Sequence, residues 1–330
     1  MAAINQTNLS FADWAKRVDE NGKVPYIVEI LSQANELMED AIVKESNGAT
    51  SHRTTIRSGL PAGTWRRLNY GVQPEKSTTV QVDDSIGMLE TYSETDKSLA
   101  DLNGNVKEFR LSEDVAFIEG LGQTLASTLI YGDTSVDAEK FMGLSPRFSS
   151  TTATNGGQIL SGGGTESANT SIWLVTWDDN ICHLIFPKGQ KAGLESNDKG
   201  QVTKEHATKG TYEIYRTHFK WDVGLSVRDW RFIVRIANID IGDLTKDAAT
   251  GADLIDLMAQ AIELLHTQGR GKQVFYCNQK IKSFLRRQIS NKVANSTLMM
   301  ENVAGKHVMT FDGIPVRRVD AILNTEAVVS

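Results

Sequence analysis

Asp178, Asp179 and His183 are the residues of this chain whose types and spacing come nearest to a reactive site. Two carboxylates in a turn followed by an imidazole on a strand are donors that a divalent metal accepts. The same pattern is far commoner as solvated turn charges beside a half-buried histidine, and that reading is adopted. The six histidines, His52, His183, His206, His218, His266 and His307, share no spacing. Gly162-Gly163-Gly164-Thr165 lacks the Gly-Lys-Ser/Thr that puts a lysine on phosphates, and reads as a flexible loop. Gly120-Leu121-Gly122 lies within a helical pattern instead of after a strand, which excludes a dinucleotide fingerprint. No nucleophile elbow, H-E-x-x-H or paired-cysteine spacing occurs. Cys182 and Cys277 each sit in an apolar strand-like run and read as small buried hydrophobes. No catalytic residue, cofactor or metal site is expected, and the chain is read as a non-enzyme.

The remaining chemistry is recognition by arginine. Arg66-Arg67, Arg286-Arg287 and Arg317-Arg318 are paired basics, and a solvated face is the default for such pairs. Arg66 and Arg67 differ because they fall in a polar segment, Lys44 to Ser85, in which only 10 of 42 residues are hydrophobic. Such a segment cannot bury a core of its own. It nevertheless holds extended runs, Thr54-Thr55-Ile56-Arg57 and Thr78-Thr79-Val80-Gln81-Val82, that read as strands. A two-stranded arm without a covering layer is marginal in water. The arm is therefore disordered or laid on another molecule, where its arginines would meet carboxylates bidentately. Arg53, Arg57, Trp65, Arg66, Arg67, Tyr70 and Lys76 are the arm residues expected to touch a neighbouring subunit.

Around the arm, the apolar spacing sets out the scaffold. Phe11 to Glu20 reads as a helix capped by Ser10, with Phe11, Trp14, Ala15 and Val18 on one face; Phe11 and Trp14 join the expected inter-subunit contacts. Pro25 opens a second helix with the stripe Ile27, Ile30, Leu31, Ala34, Leu37, Met38 and Ala41. Beyond the arm, Ser112 reads as the cap of a helix over Glu113 to Tyr131. Its stripe is Val115, Ile118, Gly122, Leu125 and Leu129, and Gly132 stops it. Gly120 and Gly122 each cost about 1 kcal/mol in a helix, so a closely passing backbone is expected there. Ser149 to Ser171 reads as a surface linker.

Strands follow the linker. Ile172–Trp177 and Ile181–Phe186 flank the turn Asp178-Asp179-Asn180. Phe219, Trp221, Val223, Leu225 and Val227 alternate with polar or small residues, as do Trp230, Phe232, Val234 and Ile236, which predicts a sheet buried on one face. Leu254 to Leu265 reads as a helix ended by Gly269. Gln273 to Cys277 is a short buried strand, and Asn278 caps a helix bearing Ile281, Phe284, Leu285 and Ile289. Val308 to Phe311, Asp312-Gly313 and Ile314-Pro315-Val316 give the strongest hairpin signal, with Pro315 implying an edge or a bulge.

Composition excludes other classes. At 330 residues, two or three lobes are expected. A formal net charge of -6 argues against a dedicated nucleic-acid binder. Neither a signal peptide nor a membrane-length apolar run is present, so a soluble chain made inside the cell is expected, with no membrane partner.

The order of parts resembles the major capsid proteins of tailed bacteriophages, which have the Hong-Kong-97 capsid fold. The wording is similar to the Gp7-like branch of short-tailed phages at Leu60-Pro61-Ala62-Gly63-Thr64-Trp65-Arg66-Arg67-Leu68-Asn69 and Thr78-Thr79-Val80-Gln81-Val82. It is similar too at Ala100-Asp101-Leu102-Asn103-Gly104, Phe186-Pro187-Lys188-Gly189 and Ala192-Gly193-Leu194. The resemblance implies an α+β chain. Residues 1–43 would be an N-terminal arm, 44–92 an extended loop, and 93–171 a peripheral domain with its spine helix. Residues 172–250 would be a sheet-rich middle and 251–330 an axial domain. It also implies a shell of pentamers and hexamers of this chain around double-stranded DNA, with weak non-specific contact to that DNA. A portal and a possible decoration protein are implied partners. The 45 or so residues before the arm leave no room for a cleavable scaffolding domain, so a separate scaffolding protein is expected. An encapsulin-like compartment shell and a cytosolic enzyme with the arm as its lid are the alternatives.

Overall fold

The computed structural model describes residues 33–102, 104–166, 168–206, 210–244, 251–291, 298–303 and 306–330. The helix expected over Phe11 to Glu20, with Phe11 and Trp14, lies outside the described residues, as does most of the second. The described end of that second helix is α1, Leu37–Asp40, whose Leu37 is fully buried.

The most apolar runs build a seven-stranded sheet. Its order is β11 (Leu298–Val303), β12 (Lys306–Phe311), β13 (Ile314–Arg318), β10 (Lys272–Cys277), β5 (Asn169–Trp177), β9 (Ile233–Asp240) and β4 (Ile159–Ser161). Both faces of its centre are covered, which is why β5 and β9 are almost continuously apolar. On β5, Trp173, Val175 and Trp177 join a core with Leu125, Leu129 and Leu225. Ile172 and Leu174 point the other way, into a core with Met258 and Ile281 of α5 (Leu254–Glu263) and α6 (Gln279–Asn291). Each buried tryptophan removes roughly 200 Å² from water, a transfer gain of about 5 kcal/mol. Asn278 caps α6 as expected, its Oδ1 accepting from the Ile281 N–H at 2.9 Å. The expected hairpin is β12–β13, turning through Asp312 and Gly313 at φ 50° and 77°.

Three expectations are corrected in this region. Residues 149–171 are more than a linker, because β4 pairs with β9 and Asn169, Thr170 and Ser171 are fully buried in β5. Thr170 and Ser171 find tertiary partners there, Thr170 Oγ1 donating to the Leu323 carbonyl at 2.8 Å and the Ser171 hydroxyl to Glu326, a context that composition does not carry. Trp230 to Phe232 form a 3₁₀ turn, and β9 after it is buried on both faces instead of alternating. Asp178-Asp179-Asn180 is a turn, as expected, and it carries the chain out of this sheet into a second one. Pro315 sits in an interior strand, tolerated because β10 begins to pair with β13 only at Val316.

The second sheet has the order β1 (Val43–Glu45), β6 (Cys182–Phe186), β8 (Gly210–Val227), β3 (Thr78–Asp96) and β2 (Ser51–Gly59), with β7 (Glu195–His206) also on β8. Strand β7 is polar and exposed along most of its length and gave no alternation to read. After the short α2 (Lys97–Asp101), α3, Val106–Tyr131, lies over the sheet as the spine of this half of the molecule, and α4 (Leu144–Arg147) follows it. Helix α3 begins seven residues before the expected Glu113. Ser112 is interior, its hydroxyl donating to the Phe109 carbonyl at 2.7 Å. Phe109 makes the early start worthwhile, because it is buried with Leu99, Ala100 and Tyr215 on the opposite face. The expected stripe is half covered: Leu125 and Leu129 are buried, whereas Val115 and Ile118 are 43% and 42% exposed. Among the described residues no backbone passes close to Gly120 or Gly122, since a Cβ at either would meet nothing within 4 Å.

Candidate assembly interface

A single strand, β3, joins the body of the molecule to its arm. Nineteen residues at about 3.3 Å each make it roughly 60 Å long. Ile86 to Asp96 pair with β8 in the body, and Thr78 to Ser85 pair only with β2. Where β3 leaves the body, Gly224 of β8 lies against it; a Cβ there would fall 2.5 Å from the Ser85 carbonyl oxygen. The expected runs Thr54–Arg57 and Thr78–Val82 are thus the two facing strands of one arm.

The arm is closed at its root and open at its tip. At the root, Asp84 is buried and accepts from Arg147 Nη2 at 2.7 Å, and the same guanidinium donates to the Leu225 carbonyl at 3.2 Å. Asn47 clamps Arg53 through both backbone groups, with its Nδ2 donating to the carbonyl at 2.7 Å and its Oδ1 accepting from the N–H at 2.9 Å. His52 is buried beside Asp84. One step outward, Arg53 forms a bidentate pair with Asp83 across the arm, at 2.8 Å for both bonds. That guanidinium holds the Asp83 carboxyl below its ordinary range, chiefly through the hydrogen bond.

Residues 60–81 are exposed without exception. Trp65 is 101% exposed, and Leu60, Leu68, Tyr70 and Val72 stand out beside it. The tip is shaped by its own polar contacts: the Ala62 N–H donates to Glu75 Oε2 at 2.6 Å, and Arg66 Nη1 to the Tyr70 carbonyl at 3.3 Å. Arg57, Arg66, Arg67 and Lys76 form no salt bridge among the described residues; of the expected contact residues, Arg53 meets its own arm's carboxylate and Arg66 meets Tyr70. On the body, β3 and α3 bound an open groove of about 460 Å³ lined by Leu89, Ala116, Phe117, Gly120, Leu121 and Thr124. Met88, Tyr92, Leu111, Val115 and Ile118 add exposed apolar surface to the same two elements.

The reactive-looking residues are placed elsewhere. His183 is fully buried, and Asp179 bonds instead to Lys44 at 3.7 Å. Cys182 and Cys277 are free and buried, and burial pushes each thiol up to about 12. Among the described residues no cluster of three His, Cys, Asp or Glu is placed to hold a metal, and no helix is long and apolar enough to cross a membrane. Sequence reasoning missed His52, Asp84, Arg147 and Arg228 at the arm root, because strand register brings them together and no spacing announces it.

An arm with a bare tip, a sheet from which it springs and a spine helix laid across that sheet are features of a shell subunit. Residues 19–330 match the model of the family described as major capsid protein GP7. The chain belongs to that family. The capsid chain of bacteriophage Epsilon15 is 40% identical over 100% of this chain and 99% of its own, with a TM-score of 0.82. The capsid of the native GTA particle is 11% identical over 70% of this chain and 99% of that chain, with a TM-score of 0.45. For the SrpI encapsulin of Synechococcus elongatus the figures are 11%, 70%, 97% and 0.47. No curated protein matches the chain. It is the major capsid protein of a tailed phage, a structural component of the virion with the α+β Hong-Kong-97 fold. Family membership sets aside the compartment shell.

Proposed function

We propose that the capsid subunit is ordered as a tile by laying its arm across a neighbouring copy. The uninterrupted exposure of residues 60–81, with Trp65 wholly bare among them, carries this reading. An apolar cluster at the end of a polar arm has no use in its own subunit, and fits the groove between β3 and α3 of the next. Arg57, Arg66, Arg67 and Lys76 meet carboxylates there, and Tyr70 adds aromatic surface. Arg53 stiffens the arm against Asp83 and presents its outer edge. Phe11 and Trp14 clasp another neighbour from the N-terminal arm.

Repeated around five-fold and quasi-six-fold rings, these contacts close into an icosahedral head, and closure makes modest contacts jointly strong. The shell encloses double-stranded DNA, which a subunit of net charge -6 contacts weakly and without specificity. A separate scaffolding protein, a portal and a decoration protein complete the assembly, which takes place in the host cytoplasm, and no step is catalytic. The domain limits are those of the sequence: arm to 43, loop to 92, peripheral domain to 171, sheet-rich middle to 250 and axial domain thereafter.

The test is the double variant Arg66→Ala/Arg67→Ala. Its unfolding midpoint stays at the wild-type value while the yield of shells, counted by electron microscopy and sedimentation, falls at least tenfold. Wild-type shell yield would show the pair to be solvent-facing, and an unfolded subunit would place it in the fold.

A further inference from the structure

The root of the arm holds an arrangement that assembly alone does not explain. His52 is the second residue of β2, and its imidazole is buried between two partners. The Asn47 N–H points at Nδ1 at 3.2 Å, and Arg228 Nη2 lies 2.9 Å from Nε2. Both partners can only donate. A neutral imidazole has one nitrogen free to accept, so it satisfies one of them; an imidazolium satisfies neither and sets its charge against a guanidinium. Edge-on to this ring, at 5.8 Å between centroids, lies His183 of β6. His183 is fully buried, and neither of its ring nitrogens has a hydrogen-bond partner among the described residues.

We propose that the His52–His183–Arg228 cluster is an acid-sensitive latch, closed while both imidazoles are neutral and released, freeing the arm to pivot, when either takes a proton.

The surrounding charges favour this outcome. Arg228 follows β8, Lys44 projects from β1, and both are cations facing the pair. Asp84 of β3 faces His52 but is engaged by Arg147, and Asp179 of the β5–β6 turn faces His183 but is engaged by Lys44 at 3.7 Å. Burial first and Arg228 second hold both imidazoles below their ordinary range, His183 down to about 4. The sign follows. A released root binds protons from about pH 6.5 downward, and the closed root refuses them until far lower. The latch is therefore stable above about pH 6.5, and its stability is lost progressively between that value and about 4. From pH 7 to pH 5, His183 alone raises the opening equilibrium about twentyfold, from the difference in proton binding between open and closed forms.

The latch concerns the pivot of the arm, wherever its tip docks, so it is tested on the unassembled subunit, away from shell formation. Hydrogen exchange is measured by mass spectrometry at pH 7 and pH 5, with each rate corrected for the intrinsic chemistry of exchange. Residues 43–59 lose protection more than tenfold at pH 5, while β5 and β9 change little. In His52→Gln/His183→Leu the root keeps the same protection at both values. Arg228→Gln, which keeps a donor and removes the charge, halves the pH response or better. A wild-type root that is flat with pH, or an equal loss in the double variant, overturns the latch. If the double variant does not fold, an Arg228→Gln response equal to wild type overturns it.

Discussion

Arg66-Arg67 and Arg317-Arg318 are the same dipeptide put to opposite uses. Arg317 is spent inside the subunit: it bonds Glu36 and the fully buried Asp40, each at 3.3 Å. Arg318 pairs with Asp320 through two bonds of 2.7 Å. Asp40 also receives Lys272 at 2.7 Å and the Tyr276 hydroxyl, so this pair ties α1 to β10 and β13. Arg66 and Arg67 stand on the tip with no carboxylate at hand. The difference comes from position. Strand β13 is interior, where a guanidinium left unpaired would be costly, whereas the tip is in water, where an unpaired one costs nothing. An unpaired arginine pair beside a bare tryptophan is what the proposed docking on a neighbouring copy would use.

The comparison breaks most sharply where an arginine is buried outright. Arg235 of β9 is enclosed with Glu326: its Nη2 bonds Oε2 at 2.9 Å, Nη1 the Phe148 carbonyl at 2.8 Å, and Nε the Ser171 hydroxyl at 3.1 Å. Both side chains are 4% exposed. Arg235→Ala leaves a buried carboxylate without its counter-ion, at a cost of about 3–5 kcal/mol. Urea unfolding of the unassembled subunit measures it, and a loss below about 1 kcal/mol would mean that Glu326 finds a substitute. Next in size is Gly224→Ala. The new Cβ presses on the Ser85 carbonyl, which is backbone and cannot turn aside, and the root of the arm shifts at a cost of about 1–3 kcal/mol. Amide exchange at Ser85 and Ile86 rises with it; unchanged exchange would place the strain elsewhere.

What could be read from the residues was the part governed by local rules. The arm was legible because ten apolar residues in forty-two cannot make a core, and the β12–β13 turn because Asp-Gly takes positive φ at low cost. The cap of α6 was legible because an asparagine oxygen replaces a missing backbone partner. The failures share a different cause. The polarity of Asn169, Thr170 and Ser171 suggested solvent, yet this stretch of β5 meets partners such as Leu323 and Glu326 over 150 residues away. Helix α3 starts early because Phe109 finds Leu99 and Tyr215, not because of any residue at its end. The histidines of the root are joined only by the register of β2 with β3 and of β6 with β8.

The finest test of the contrast between inward-facing and partner-facing residues is Gly120→Ala. No backbone among the described residues passes near this helical glycine, where a Cβ meets nothing within 4 Å. Replacing glycine by alanine in an exposed helix interior then stabilises the subunit by about 1 kcal/mol, because less backbone entropy is lost on folding. Gly120 also lines the groove between β3 and α3 that is assigned to the neighbour's arm. If the arm seats there, the same methyl narrows its bed. The variant should then show a higher unfolding midpoint as a free subunit and a lower yield of shells, two effects of opposite sign from one atom. A variant that is both more stable and fully competent to assemble would move the arm's bed away from Gly120, toward the exposed stripe of Leu111, Val115 and Ile118.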